Sequence, residues 1–257
     1  IPEERAAYLL EELSLDEKVA QLNCVFPFDK ASYDFAGINE QTKHGIGQVS
    51  TLEMRRMESL DEVVRWQRKV QRIVMENSPH RIPAIFHMEG LCGAFIQDST
   101  SFPSGIGRGA GWNPKLEEKI VSRQEAACGI THVFAPVLDI SRDSRMGRQG
   151  ETYGEDPVLT ASLGSAYTKG CQKYETAGRR TESVAKHFLA FHNSAAGIHG
   201  ANSDTPERLL EEIYGKPFQA AITEAGLRGI MPCYCLINGE PASASSFDRT
   251  AERRDGV

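Results

Sequence analysis

Two segments limit what this chain can fold into more than anything else in it: APVLDISRDSRMGRQGETYGEDP at 135–157 and, further on, Val184-Ala185-Lys186-His187-Phe188. Each begins as an apolar run of the kind that forms a strand buried on both faces. Each then ends abruptly in polar chemistry, the first in Asp, Arg, Gly and Glu, the second in Lys and His. Such side chains cannot be left in an apolar core, because burying an unpaired ion is costly. When strand after strand ends this way the tips are being collected in space, and a parallel barrel collects them at its C-terminal face.

Size and composition narrow the field. The chain has 257 residues, 40% hydrophobic and 25% charged, which suits one soluble α/β domain of barrel size. A formal net charge of −6 without a dense Lys/Arg run points away from nucleic acid and anionic membrane surfaces as partners. No apolar stretch approaches the ~20 residues of a membrane helix. The cysteines Cys24, Cys92, Cys128, Cys171, Cys233 and Cys235 are scattered and mostly lie in apolar surroundings, so reduced thiols in a cytoplasmic protein are expected. Cys233-Tyr234-Cys235 is not a Cys-x-x-Cys pair and no second pair completes a zinc set, so no metal is expected.

The periodicity then alternates. Ile1 to Leu22 predicts helix, restarted by a capping box at Ser14 and Glu17. Ile46–Ser50 predicts a strand, and Leu60–Met75 an amphipathic helix. Ile82–Phe86 predicts a second strand. Asn113-Pro114 starts a helix reaching Cys128, and Thr131–Ile140 is a third strand. A helix from Asp156 to Tyr174, a strand at Ser183–Phe188, a helix from Thr205 to Ala225 and a strand at Gly229–Pro232 follow. Strands alternating with helices predict right-handed βαβ units and a parallel sheet. About five or six such units are present, where a closed barrel needs eight. The expected fold is therefore an incomplete (β/α)8 TIM-type barrel. An open doubly wound sheet would carry a glycine-rich phosphate loop after its first strand, and none is visible.

The strand ends supply Glu89, Arg148, Glu151, Lys186, His187 and Tyr234. Donors (Arg, Lys, His) mixed with acceptors (Glu) suit a ligand dense in hydroxyls, and Phe102, Trp112, Tyr153, Phe188 and Tyr234 offer rings for a sugar face. A structural alternative stands beside this: Asp143, Arg145, Arg148 and Glu155 could be an ion-pair cluster holding a long loop. His192 and His199 are expected to be loop histidines.

The ordered motifs KVAQL (18–22), RIPAIFHMEG (81–90), FPSGIGRGAGWNP (102–114), FAPVLDISRDSRMGRQGETYGEDP (134–157), VAKHF (184–188) and MPCY (231–234) with Asn238-Gly239 resemble the N-terminal barrel domain of glycoside hydrolase family 3. The resemblance covers nearly the whole chain. It implies a carbohydrate or glycoside substrate, no cofactor and a retaining hydrolysis of β-glucosides or β-xylosides. It also implies substrate-binding roles for Glu89, where the family usually has the shorter Asp, and for Arg148, Lys186, His187 and Tyr234.

Retaining chemistry needs a carboxylate nucleophile and a separate acid/base about 5 Å apart. The resemblance places the nucleophilic Asp after the next strand, beyond Val257; Asp248 and Asp255 do not stand in its motif. The family's acid/base lies on a further C-terminal domain in two-domain members. In single-domain relatives it is a His–Asp motif, which AFHNSAAGIHGANSD at 190–204 lacks. Residues 1–257 are thus expected to form one truncated barrel domain, inactive by itself. A non-catalytic sugar-binding module is the alternative, and a Schiff-base aldolase using Lys186 a more distant one.

Overall fold

Helix-forming and strand-forming segments alternate much as their periodicity predicts in the computed structural model, which describes residues 1–26, 35–120, 123–173, 175–176 and 179–245. The charged tail with Asp248 and Asp255, and Tyr174 at the predicted end of a helix, lie outside the described residues. Two compact units are present. One holds Ile1–Met88, Phe95–Ser99 and Ala127–Thr131; the other holds Glu89–Ala94, Thr100–Ala126 and the chain from His132 onward.

In the first unit, helices α1 (Pro2–Glu12) and α2 (Leu15–Gln21) are separated at Ser14, whose side chain accepts from the Glu17 N–H. The predicted capping box is present: the Glu17 carboxylate accepts the Ser14 N–H at 2.8 Å. Strand β1 (Cys24–Val25), helix α3 (Phe35–Gln41), strand β2 (Gln48–Ser50), helix α4 (Leu60–Asn77) and strand β3 (Ile85–Met88) follow. β1 pairs with β2 and β2 with β3, all parallel, with Val49 opposite Phe86. Helix α4 buries Val63, Trp66, Gln67, Val70 and Val74, a stripe at helical spacing, and Ser59 caps it through the Glu62 N–H.

The second unit contains α5 (Gly105–Gly109), α6 (Pro114–Ile120), α7 (Arg123–Ala127, whose last residue belongs to the first unit), β4 (His132–Val133) and α8 (Pro157–Lys173). A short hairpin of β5 (Glu175–Thr176) and β6 (Arg179–Arg180) leads to β7 (Glu182–Phe188). Then come α9 (Glu207–Leu209), α10 (Lys216–Ala225), β8 (Gly229–Pro232) and a hairpin of β9 (Leu236–Ile237) and β10 (Glu240–Pro241). β4, β7 and β8 are parallel, with His132 opposite Glu182 and Val184 opposite Gly229. Each unit therefore contributes three parallel strands with helical connections. Leu138, Leu163, Ala185, Phe188, Phe218 and Leu227 lie in one buried cluster. Phe188 meets Phe218 edge to face at 5.0 Å between ring centroids, worth ~1 kcal/mol beyond its area burial. α8 lies close to α6 because Gly170 has no Cβ; one would stand 2.2 Å from the Glu118 carbonyl oxygen.

The differences from the sequence prediction are local. Thr131–Ile140 is not one strand: only His132–Val133 is regular, and pairing resumes through a parallel bridge from Val137 to Lys186. Pro136 has no N–H to donate, and its carbonyl instead receives the Lys186 N–H at 3.0 Å. The helix from Thr205 is broken into α9, a wide turn at Leu210–Tyr214 and α10, where Gly215 and Pro217 interrupt the ladder. The helix from Asn113 is present as α6 and α7.

Candidate functional site

Glu89, Arg148, Glu151, Lys186, His187 and Tyr234 all belong to the second unit. Strand β7 is the axis of the site. Its pairing with β8 slips between Lys186, opposite Met231, and Phe188, opposite Pro232, so His187 is an extra residue on a β-bulge. Successive strand side chains ordinarily face opposite sides, and a bulge re-aims one of them. Lys186 and His187 thereby both meet charged partners, at 2% and 3% side-chain exposure.

A buried lysine requires an anion, and Lys186 donates to Glu89. Glu89 is followed by Gly90, where a Cβ would stand 2.1 Å from Val133 Cγ1. The Gly90 carbonyl is held by the buried Tyr167 hydroxyl at 2.9 Å, so the backbone carrying Glu89 is fixed close to β4. Arg148 comes from the loop after the irregular third strand. The Ser141 N–H closes that loop on the Gly154 carbonyl at 3.0 Å, and Gly147 takes a positive φ of 83° just before Arg148. Arg148 grips Glu151 in a fork, Nε to Oε1 at 2.6 Å and Nη2 to Oε2 at 2.7 Å. Its Nη2 also lies 3.2 Å from His187 Nε2, and its guanidinium sits 5.3 Å above the Phe191 ring.

Asp139 completes the set. Its Oδ2 lies 2.8 Å from His187 Nδ1 and accepts the His187 backbone N–H at 3.3 Å. His192 is buried, not a free loop side chain: Nδ1 meets Ser141 Oγ at 3.1 Å and Nε2 stands 3.9 Å from Asp139 Oδ2. Phe191 packs between the histidines, its ring centroid 4.6 Å from that of His187 and 5.2 Å from that of His199.

The electrostatics follow from these contacts. The hydrogen bond to Glu151 holds the Arg148 guanidinium above even its ordinary high pKa. Burial alone would raise the Glu151 carboxyl, but the Arg148 bonds, with Lys186 nearby, hold it below the usual range. Burial pushes the His192 imidazole down despite the pull of Asp139. Asp139, Glu89 and Glu151 thus interlock with Lys186, Arg148 and His187, presenting both donors and acceptors. Such an arrangement offers matched partners to the hydroxyls of a neutral polyhydroxyl ligand.

Tyr234 is placed differently from the other predicted residues. It follows β8, is 67% exposed, and its ring lies 5.3 Å from His199 and 6.0 Å from Phe191. Its neighbours Cys233 and Cys235 are paired as a disulfide, a correction to the expectation of six reduced thiols; Cys24, Cys92, Cys128 and Cys171 form no disulfide. Two residues apart, Cys233 and Cys235 have Cα atoms 5.5 Å from each other, inside the range a disulfide spans. The structural alternative holds for part of its set: Asp143 and Arg145 pair at the surface, Nη2 to Oδ2 at 2.5 Å, whereas Arg148 turns to Glu151. Among the described residues no group of three His, Cys, Asp or Glu side chains is arranged to hold a metal ion, and no helix is long and apolar enough to cross a membrane.

The sequence marks Asp139 only as the start of the charged stretch Asp139–Glu155, with no role of its own, and gives Ser141 and His192 no site role. Asp139 closes the apolar run Ala135–Leu138, and that position, one charge at the tip of a buried strand, was the available signal.

The family described as "Glycosyl hydrolase family 3 N terminal domain" matches residues 14–250. A β-xylosidase of Formosa agariphila is 34% identical over 178 residues, 65% of this chain and 25% of that protein. A periplasmic β-glucosidase of Salmonella typhimurium is 30% identical over 254 residues, 96% of this chain and 31% of that protein. The solved structure of a β-glucosidase from Erythrobacter marinus superposes with a TM-score of 0.85 at 30% identity, covering 95% of this chain and 33% of the other. The chain thus spans about a quarter to a third of the length of these relatives. Its fold class is that of an incomplete TIM-type barrel, and the chain belongs to glycosyl hydrolase family 3 through its N-terminal domain.

Proposed function

We propose that this chain supplies the glycone-gripping part of a retaining β-glycosidase acting on β-glucosides or β-xylosides. The observation that carries the proposal is the interlocked cluster of Glu89 with Lys186 and of Arg148 with Glu151 and His187. Relatives named β-glucosidase and β-xylosidase support the same substrate class. In this reading Lys186 and Arg148 donate to sugar hydroxyls, Glu89 accepts from them, and Tyr234 borders the pocket beside the reacting carbon. As the ring turns oxocarbenium-like, hydroxyl acidity rises, so bonds to Glu89 strengthen and the barrier falls.

Glu89, Glu151 and Asp139 are each engaged by Lys186, Arg148 or His187, which suits acceptors and orienting groups and not a nucleophile. These 257 residues are therefore expected to bind a glycone and not to turn over a glycoside. The Lys186 side chain donates to Glu89, which favours a gripping role over the Schiff-base alternative. Calorimetric titration of the purified chain with an iminosugar, glucose and xylose tests binding, and an aryl β-glucoside or β-xyloside tests turnover. A folded chain that binds none of the three sugars sinks the proposal. Clear turnover would refute the expected inactivity while supporting the substrate class.

A further inference from the structure

We propose that Asp139 is a positioning residue that holds His187 as its Nδ1–H tautomer, so that Nε2 accepts from Arg148 and fixes its guanidinium; the use of that guanidinium by a sugar rests on the glycone-binding role proposed above. Two fixed chemistries meet on one ring. The Asp139 carboxylate only accepts, and its Oδ2 lies 2.8 Å from Nδ1, so that nitrogen carries the proton. The Arg148 guanidinium only donates, and its Nη2 lies 3.2 Å from Nε2, so that nitrogen presents its lone pair. Phe191 fills the ring's face at 4.6 Å between centroids and leaves little freedom to flip.

Asp139 is itself held. The same Oδ2 accepts the backbone N–H of His187 at 3.3 Å, and His192 Nε2 stands 3.9 Å from it, with His192 anchored on Ser141. The carboxylate is 2% exposed on its side chain, so it cannot exchange His187 for water. A carboxylate behind an imidazole fixes both tautomer and orientation, as outer-shell carboxylates do for metal-ligating histidines. The consequence falls on Arg148: one Nη2 hydrogen goes to Glu151 Oε2 and the other to the Nε2 lone pair, so the tautomer of His187 fixes the guanidinium in place.

The test is long-range proton–nitrogen NMR on the labelled full chain without sugar, with His187→Gln identifying the His187 signals among the seven histidines. The expected result is a protonated Nδ1 with a downfield, slowly exchanging proton and an unprotonated Nε2. A protonated Nε2 at neutral pH, in either the other tautomer or the imidazolium, overturns the proposal. In Asp139→Asn that downfield proton is expected to move upfield. Iminosugar affinity is expected to fall about tenfold, the usual effect of weakening a hydrogen bond to a charged group. A folded Asp139→Asn chain with an unchanged Nδ1 signal overturns the proposal too. If that variant does not fold, the wild-type tautomer decides. If the wild type binds no sugar, the glycone reading fails, while the NMR result still decides the role of Asp139.

Discussion

Lys186→Met separates a ligand-gripping residue from a structural one. Met nearly matches the length of the lysine stem, so the space around a side chain only 2% exposed stays filled. The ammonium is lost, and with it the bond to Glu89. Removing one member of a fully buried pair costs ~3–5 kcal/mol, because the other ion is stranded. Glu89, however, is 37% exposed and regains water, so the stability change should stay within about 1 kcal/mol, as for a partly solvated pair. Sugar binding is affected otherwise. A hydrogen bond to a charged group contributes ~1.5–3 kcal/mol, and each 1.4 kcal/mol is tenfold, so iminosugar affinity should fall roughly ten- to a hundredfold. Calorimetric titration beside a urea melt reads both quantities on one preparation. An affinity within twofold of wild type would refute the gripping role. A loss of several kcal/mol in stability would refute the argument that Glu89 is solvated.

Further substitutions probe the buried frame of the second unit and one surface ion pair. Arg108 and Glu117 form a buried pair, Nε to Oε1 at 3.2 Å, with the Tyr153 hydroxyl donating to the same oxygen at 2.6 Å. Arg108→Met strands Glu117 and should cost ~3–5 kcal/mol in a denaturant melt, much of it recovered by adding Glu117→Leu. Gly170→Ala, whose Cβ would meet the Glu118 carbonyl at 2.2 Å, should lower stability by ~1–3 kcal/mol through overpacking between α6 and α8. The Asp143 carboxyl, bonded by the Arg145 guanidinium and N–H, is held down at about 2 against an ordinary 3.8. Because the folded pKa is the lower one, this contribution is present above the ordinary carboxylate range and is lost as the pH falls toward 2. Carbon-detected NMR titration should find that value, and Arg145→Ala should return it to the usual range.

What was legible in the chain divides by the distance over which it is determined. Strand β7, helix α8 and the α1–α2 break follow from local periodicity and capping, which Ser183–Phe188, Asp156-Pro157 and Ser14/Glu17 carry within a few residues. Charge at strand tips likewise identified Glu89, Arg148, Lys186 and His187 as a set, since a buried ion must find partners whatever the topology. The pairings inside the set were not legible. Whether Arg148 turned to Glu151 or to Asp143 depends on how the Ser141–Gly154 loop closes, a long-range bond that no local pattern encodes.

The bulge at His187 makes the same point more sharply. Alternation along VAKHF would send Lys186 and His187 to opposite faces, yet both reach charged partners where the pairing slips against Met231 and Pro232. That slip belongs to the pairing of β7 with β8, so no reading of β7 alone could contain it. Asp139 escaped for a related reason. At the end of an apolar run it looked like one more polar tip, and its importance depends on a ring 48 positions away in sequence. An acid that holds an imidazole is found by asking what fixes each side chain of the cluster, since the tautomer of His187 decides whether its Nε2 can accept from Arg148.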